Sequence, residues 1–137
     1  MILEYKVKLP GMNEIIKAAK ATNARKNVYG GLKQKFTQLI AWETKRQTKK
    51  QYINPVDIVI TWHCKDKKRD KDNIAAGAKF VLDGLVTSGL IQNDTWELVN
   101  TIQHKYIHDK RGWKVVVEIA EVENYGETNS KRIASTQ

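Results

Sequence analysis

The stretch PVDIVITWHCKDKKRDKDNIAAGAKFVLDGLVTSGL, residues 55–90, decides how this chain folds. Pro55 cannot donate to a sheet ladder and suits the first position of a strand. Behind it Val56, Ile58, Ile60 and Trp62 fall on one side and Asp57, Val59, Thr61 and His63 on the other, the period-two pattern of a strand. Cys64 to Lys71 reads as a charged loop. From about Asp72 to Ser88 the period becomes helical: at ~100° per residue, Ile74, Ala78, Val81, Leu82 and Leu85 gather into one apolar stripe. Asp72, Lys79 and Asp83 project together on the opposite side, within ~40° of one another. Gly77, costlier than alanine inside a helix by ~1 kcal/mol, admits close approach of another helix or of DNA. Gly89 is placed to stop the helix, with Leu90 supplying the accompanying apolar contact.

The rest of the chain arranges itself around this unit. Residues 2–8 alternate Ile2, Glu4, Lys6 and Lys8 against Leu3, Tyr5 and Val7, a strand with one buried face. Pro10-Gly11 ends it, and Asn13 can cap a short helix over 14–21. A longer helix is expected from about Tyr29 to Lys49, with Leu32, Phe36, Leu39 and Ile40 as its apolar stripe. Two more strands, about 96–107 and 113–121, are separated by Asp109-Lys-Arg-Gly112 and read as a hairpin. The expected fold class is α/β (α+β): a small mixed sheet of about four strands with helices packed on it. One domain covers residues 1–122, and 123–137 reads as a polar, flexible tail.

Bulk composition narrows the function classes. A 137-residue chain with 41% hydrophobic residues can bury a core without staples. Cys64 is the single cysteine, which excludes an internal disulfide and a Cys₄ or Cys₂His₂ zinc site. The first residues alternate in charge rather than forming a signal peptide, and no run approaches the ~20 apolar residues of a membrane span. The expected location is cytoplasmic. The formal charge of +9 is uneven: residues 1–50 carry 12 Lys/Arg against 3 Asp/Glu, and the remainder carries 12 of each. Nucleic acid is the leading partner for such a surface, against the plainer reading of a solvated lysine-rich helix.

Four aspartates stand out against this basic background: Asp70, Asp72, Asp83 and Asp94. Carboxylate oxygens suit Mg²⁺ and Mn²⁺, so a divalent metal facing a polyanion is the chemistry they suggest. Plainer roles compete. Asp70 or Asp72 can cap the helix, Lys79 and Asp83 form an i,i+4 ion pair, and Asp94 can open a turn. A metal site on Asp70, Asp72 and Asp94 requires that folding bring Asp94 back beside the other two. Lys65, Lys67, Lys68, Arg69 and Lys71 abut the acids and suit the phosphate backbone. His63, His104 and His108 are too scattered for a motif, and Cys64 has no triad partner. The tryptophans at 42, 62, 96 and 113 fall on expected core faces.

The run Arg69-Asp70-x-Asp72-Asn73, followed by Lys79-x-x-x-Asp83-x-Leu85, Gly89 and Asp94, resembles the RusA family of Holliday-junction resolvases. Leu9-Pro10 and Asn13-Glu14 extend the likeness loosely toward the N-terminus. The resemblance implies an endodeoxyribonuclease of DNA recombination and repair, phage- or prophage-encoded, acting as a homodimer on four-way junctions. It implies paired Mg²⁺-dependent nicks (Mn²⁺ as a substitute) that leave 5′-phosphate ends. Asp70, Asp72 and Asp94 correspond to the metal-binding carboxylates, Arg69 and Lys79 to catalytic basic residues, and Asp83 to a supporting acid. One position departs: the best-known member has its lysine where this chain has Ala76, so Lys79 lies ~4.5 Å further along the helix. The alternatives are a non-catalytic basic DNA-binding protein and a nuclease for other branched DNA.

Overall fold

A computed structural model describes residues 1–122. In chain order the elements are β1 (Ile2–Tyr5), α1 (Met12–Ala21), α2 (Val28–Gln47), β2 (Val56–Cys64), α3 (Lys71–Ala75), α4 (Ala78–Ser88), β3 (Val99–His108) and β4 (Lys114–Glu121). The four strands form one mixed sheet in the order β1-β4-β2-β3. This is the small α+β architecture expected from the sequence. The tail expected over 123–137 lies outside the described residues.

The most apolar strand takes the middle of the sheet. Val56, Ile58, Ile60, Trp62 and Cys64 are all buried, while the intervening residues of β2 are only half-buried. Leu3 and Tyr5 on β1 and Val115, Val117 and Ile119 on β4 join them in one core with Phe80, Val81 and Leu85 from α4. The helices therefore cover one face of the sheet and leave the other partly open. Helix α2 is tied to β1 by Tyr5, whose hydroxyl lies 2.7 Å from Thr44 Oγ1, which itself donates to the Ile40 carbonyl at 2.7 Å. Among the described residues no helix is long and apolar enough to cross a membrane.

The expected hairpin does not form. β3 runs parallel to β2 on one side, Cys64 opposite His108, and β4 returns antiparallel on the other side, His63 opposite Lys114. Residues 109–113 step across the end of β2, about two strand spacings or ~9.6 Å. The Asp109 N–H donates to the Cys64 carbonyl at 2.8 Å and pins this crossing. A strand buried on alternate positions along its whole length gains more from two partners than from one, so β2 occupies the place between them.

The helix expected over 72–88 is interrupted at Ala76-Gly77, giving α3 and α4. Here Gly77 N–H bonds to the Ile74 carbonyl three residues back, and Gly77 packs on Trp62 and Leu9, whose atoms would lie 3.1–3.2 Å from an added Cβ. The close approach at Gly77 is thus made by side chains of β2 and of the segment before α1, rather than by another helix or DNA. α4 ends as expected: Gly89 has φ +84°, Leu90 N–H reaches the Leu85 carbonyl at 3.1 Å, and both leucines are buried. α1 starts earlier than expected, with Gly11 rather than Asn13 at its N-cap and Glu14 Oε2 accepting from the Gly11 N–H at 3.1 Å.

Candidate active-site cleft

Parallel pairing sets the C-terminal ends of β2 and β3 side by side, and the loop leaving β2 must turn over that edge into α3. A cleft of about 680 Å³ opens there, lined by Asp66, Lys67, Arg69, Asp70, Lys71 and Asp72 above Cys64, Ile74, Tyr106, Ile107 and His108. Its rim thus alternates three acids with three bases.

Asp70 occupies the N-cap position of α3, yet its carboxylate makes no capping bond. The capping role leaves its side chain unexplained. Asp72 Oδ1 accepts from the Asn73 N–H at 2.9 Å, and both aspartates are exposed to the cleft. Asn73 and Arg69, the latter also part of the rim, hold the motif in place. Asn73 Oδ1 accepts the Asn13 N–H at 3.1 Å, anchoring the start of α1. Gly11 sits so close that a Cβ there would collide with Asn73 Oδ1 and lie 2.8 Å from its carbonyl oxygen. Arg69 Nη1 donates to the Leu9 carbonyl at 3.1 Å, with the guanidinium 4.9 Å from the Trp113 ring centre. The sequence motif therefore divides into two residues that brace and two carboxylates that face solvent.

Lys71 lies 5.5 Å over the Tyr106 ring, whose other neighbour is His104, stacked at 6.4 Å. Trp62 Nε1–H donates to His104 Nδ1 at 2.9 Å, and burial holds the His104 imidazole below its usual pKa, favouring the neutral ring. Burial also pushes the Tyr106 hydroxyl up, with the Cys64 sulfur and the Asp72 carboxylate adding to the effect. The Cys64 thiol is raised by burial too, which suits an inert wall of the cleft. His108 Nε2 lies 3.2 Å from the Lys65 carbonyl and ties the loop to the end of β3. Lys65, Lys67 and Lys68 are exposed along that loop.

Asp94 is elsewhere. It lines two other depressions, one with Trp96, Asn100 and Ile102 beside the first half of β3, the other with Lys33, Asp83 and Thr87. Among the described residues no three His, Cys, Asp or Glu side chains gather closely enough to hold an ion. The break at Ala76-Gly77 also separates Asp72 from the Lys79–Asp83 pair, because helical phasing does not carry across an interruption. Lys79 and Lys33 each approach Asp83 Oδ2 at 3.8 Å, so the i,i+4 ion pair is present. Two tryptophans depart from expectation: Trp42 is 76% and Trp96 90% exposed.

Tyr106, His108 and Trp113 could not be found from the sequence. Their place at the cleft follows from β3 and β4 flanking β2, which no local pattern announces. The deciding comparison is with known families: a family model described as Endodeoxyribonuclease RusA matches residues 13–120. The chain belongs to the RusA endodeoxyribonuclease family. The match spans from the start of α1 almost to the end of β4, so it takes in the cleft, both braces and Asp94. A RusA-family chain is an endodeoxyribonuclease directed at Holliday junctions, and resolvases of this family generally depend on a divalent metal. A search of curated proteins returns no match.

Proposed function

We propose that this RusA-family chain resolves four-way DNA junctions as a homodimer, by paired Mg²⁺-dependent nicks that leave 5′-phosphate ends. The observation that carries the reading is the juxtaposition of two exposed carboxylates, Asp70 and Asp72, neither in an ion pair among the described residues, with Lys67 and Lys71 in one open cleft. Two carboxylates fit Mg²⁺, which dehydrates reluctantly and is commonly held by one or two acids plus water and substrate phosphates. When bound, the metal supplies an activated water and charge stabilisation at the scissile phosphate. Asp70 and Asp72 would hold it, while Lys67 and Lys71 draw the backbone in and offset the charge that develops on the phosphoryl oxygens. Arg69 keeps the loop that carries both aspartates against Leu9 and Trp113. Lys79, one turn above Asp83 and only loosely paired to it, is a further cation for the phosphate, with Asp83 setting its position.

The place of Asp94 favours the dimer. Among the described residues β3 is an edge strand with an unpaired outer side; exposed Ile102 and Ile107 lie on it and exposed Trp96 precedes it. Such an edge is a template for another strand. A second copy pairing antiparallel along it sets the start of one β3 against the end of the other. Asp94 of the partner subunit then approaches the cleft formed by Asp70 and Asp72. This arrangement also buries Trp96.

The test uses four-way junctions with Mg²⁺ and the variants Asp72→Asn and Asp94→Asn. Each alone should bind the junction and fail to cut it. Mixed and re-equilibrated, the two should regain cutting at one site per heterodimer, because one of its two clefts keeps both wild-type acids. Cleavage by either single variant at the wild-type rate would remove that residue from the metal set. Cutting of linear duplex as fast as junction would favour a nuclease without junction selectivity, and junction binding with no cutting by the wild type would favour a non-catalytic binding protein.

A further inference from the structure

α2 buries Ile40, Ala41 and Thr44 against the core. On its opposite side, at ~100° per residue, Lys35, Gln38, Trp42 and Lys45 fall within about 80° of one another, and Lys49 follows just past the helix end at Gln47, its Nζ donating to the Lys45 carbonyl at 3.2 Å. All five are exposed. From Lys35 to Lys45 the stripe runs about 15 Å along the helix. Its acids are absent: Glu43 is turned away by phase and pairs with Arg46 at 2.6 Å. None of Lys35, Lys45 and Lys49 makes an ion pair among the described residues. At its C-terminal end the stripe runs into a depression of about 220 Å³ whose lining includes Lys45, Thr48, Lys49, Lys50 and Ser88, together with Gln51 and the apolar Leu90.

A solvated lysine face accounts for the cations but not for an indole set in their midst with three quarters of its surface in water. Amines spaced along a helix neutralise successive phosphates, and a flat ring among them packs on a sugar or base face. A second copy of this chain is a poor occupant, because two such faces would bring like charges together. We propose that the outer stripe of α2 is a second DNA-contact surface, separate from the cleft, that grips the sugar–phosphate backbone of a duplex arm. The proposal rests on the nuclease reading above and locates where the positive excess of the N-terminal third is used.

The experiment measures binding to an immobile four-way junction by fluorescence anisotropy in EDTA, across a salt series. It compares the wild type, the triple variant Lys35→Gln/Lys45→Gln/Lys49→Gln, and Trp42→Ala. The positions are exposed, and circular dichroism checks that each variant is folded. If each lysine meets one phosphate, the triple variant's log–log salt slope becomes shallower by about 2.7, at ~0.9 per contact. Its affinity at low salt should fall at least tenfold. Trp42→Ala should bind several-fold more weakly and lose part of the DNA-induced change in tryptophan fluorescence. An unchanged salt slope in the triple variant, beside a wild type that binds and cuts, overturns the proposal and leaves the nuclease reading standing. A changed oligomeric state with an unchanged slope overturns it in favour of an interface between copies. A wild type that does not bind junctions removes both readings at once.

Discussion

Arg69→Ala should destabilise the fold by about 2–3.5 kcal/mol before any DNA is added. The guanidinium donates to the Leu9 carbonyl at 3.1 Å, a charged hydrogen bond of the kind worth ~1.5–3 kcal/mol. It also stands 4.9 Å from the centre of the Trp113 ring, a cation–π contact worth ~0.5–2 kcal/mol in a half-buried setting. The side chain is neither fully buried nor free, so the lower half of the combined range is the better expectation. Arg69→Lys keeps the charge but cannot hold the carbonyl and cover the ring together, and should recover about half the loss. The assay is urea unfolding followed by tryptophan fluorescence, with junction binding measured on the same samples. Against a total stability of roughly 5–15 kcal/mol this is easily read. If Arg69→Ala unfolds at the wild-type midpoint while junction binding drops, Arg69 is a phosphate contact and the bracing argument fails. A loss of activity in Arg69→Ala would otherwise report a displaced Asp70–Asp72 loop.

Gly84→Ala should cost about 1–3 kcal/mol, the range for overpacking, because the new methyl would sit 2.5 Å from Ile40 Cβ and 3.1 Å from the Thr37 carbonyl oxygen. A melting temperature equal to the wild type would show that α2 and α4 can separate freely there. The Asp109 carboxyl is held well below the usual carboxylate range, chiefly by the Arg111 side chain and backbone N–H, with His63 assisting. A depressed folded pKa stabilises the fold above the unfolded value of ~3.9 and is lost as pH falls through the folded one. Asp109→Asn should therefore flatten the acid limb of a stability–pH curve below about pH 4. Parallel acid limbs in the two proteins would contradict this.

Local patterns carried the elements of the centre but not how they meet. β2, the stripe of α4 and the Gly89 stop are each written in a short window, by a two-residue period, a 3.6-residue period and a left-handed position. Phe80 escaped because α2 covers a second side of α4, where its ring lies 5.8 Å from Phe36. A hairpin is the natural reading of the sequence here because Asp109 to Gly112 has the composition of a tight turn whichever strands it joins. The candidate site was half legible. Asp70 and Asp72 meet in one cleft because they are neighbours in sequence, whereas Asp94 depends on tertiary arrangement. Arg69 and Asn73 could be named from the motif, but their bracing work shows only when Leu9, Asn13 and Trp113 arrive from distant parts of the chain.

The crossing of residues 109–113 over the end of β2 sets an order on how the chain can reach its native state. β3 and β4 are neighbours in sequence and would zip together quickly if left to themselves, since a hairpin closes in microseconds. That pairing is absent from the final sheet, and β2 must take its place between them. If a β3–β4 hairpin forms first, it must open before the sheet can close. The productive route waits for β2 to find β3 across the whole of α3 and α4, a long-range contact of the kind that slows folding. Asp109 and His63, joined at 3.1 Å, lock the strap only after β2 has arrived. The end of the sheet that carries the cleft is thus complete only when β2 stands between β3 and β4.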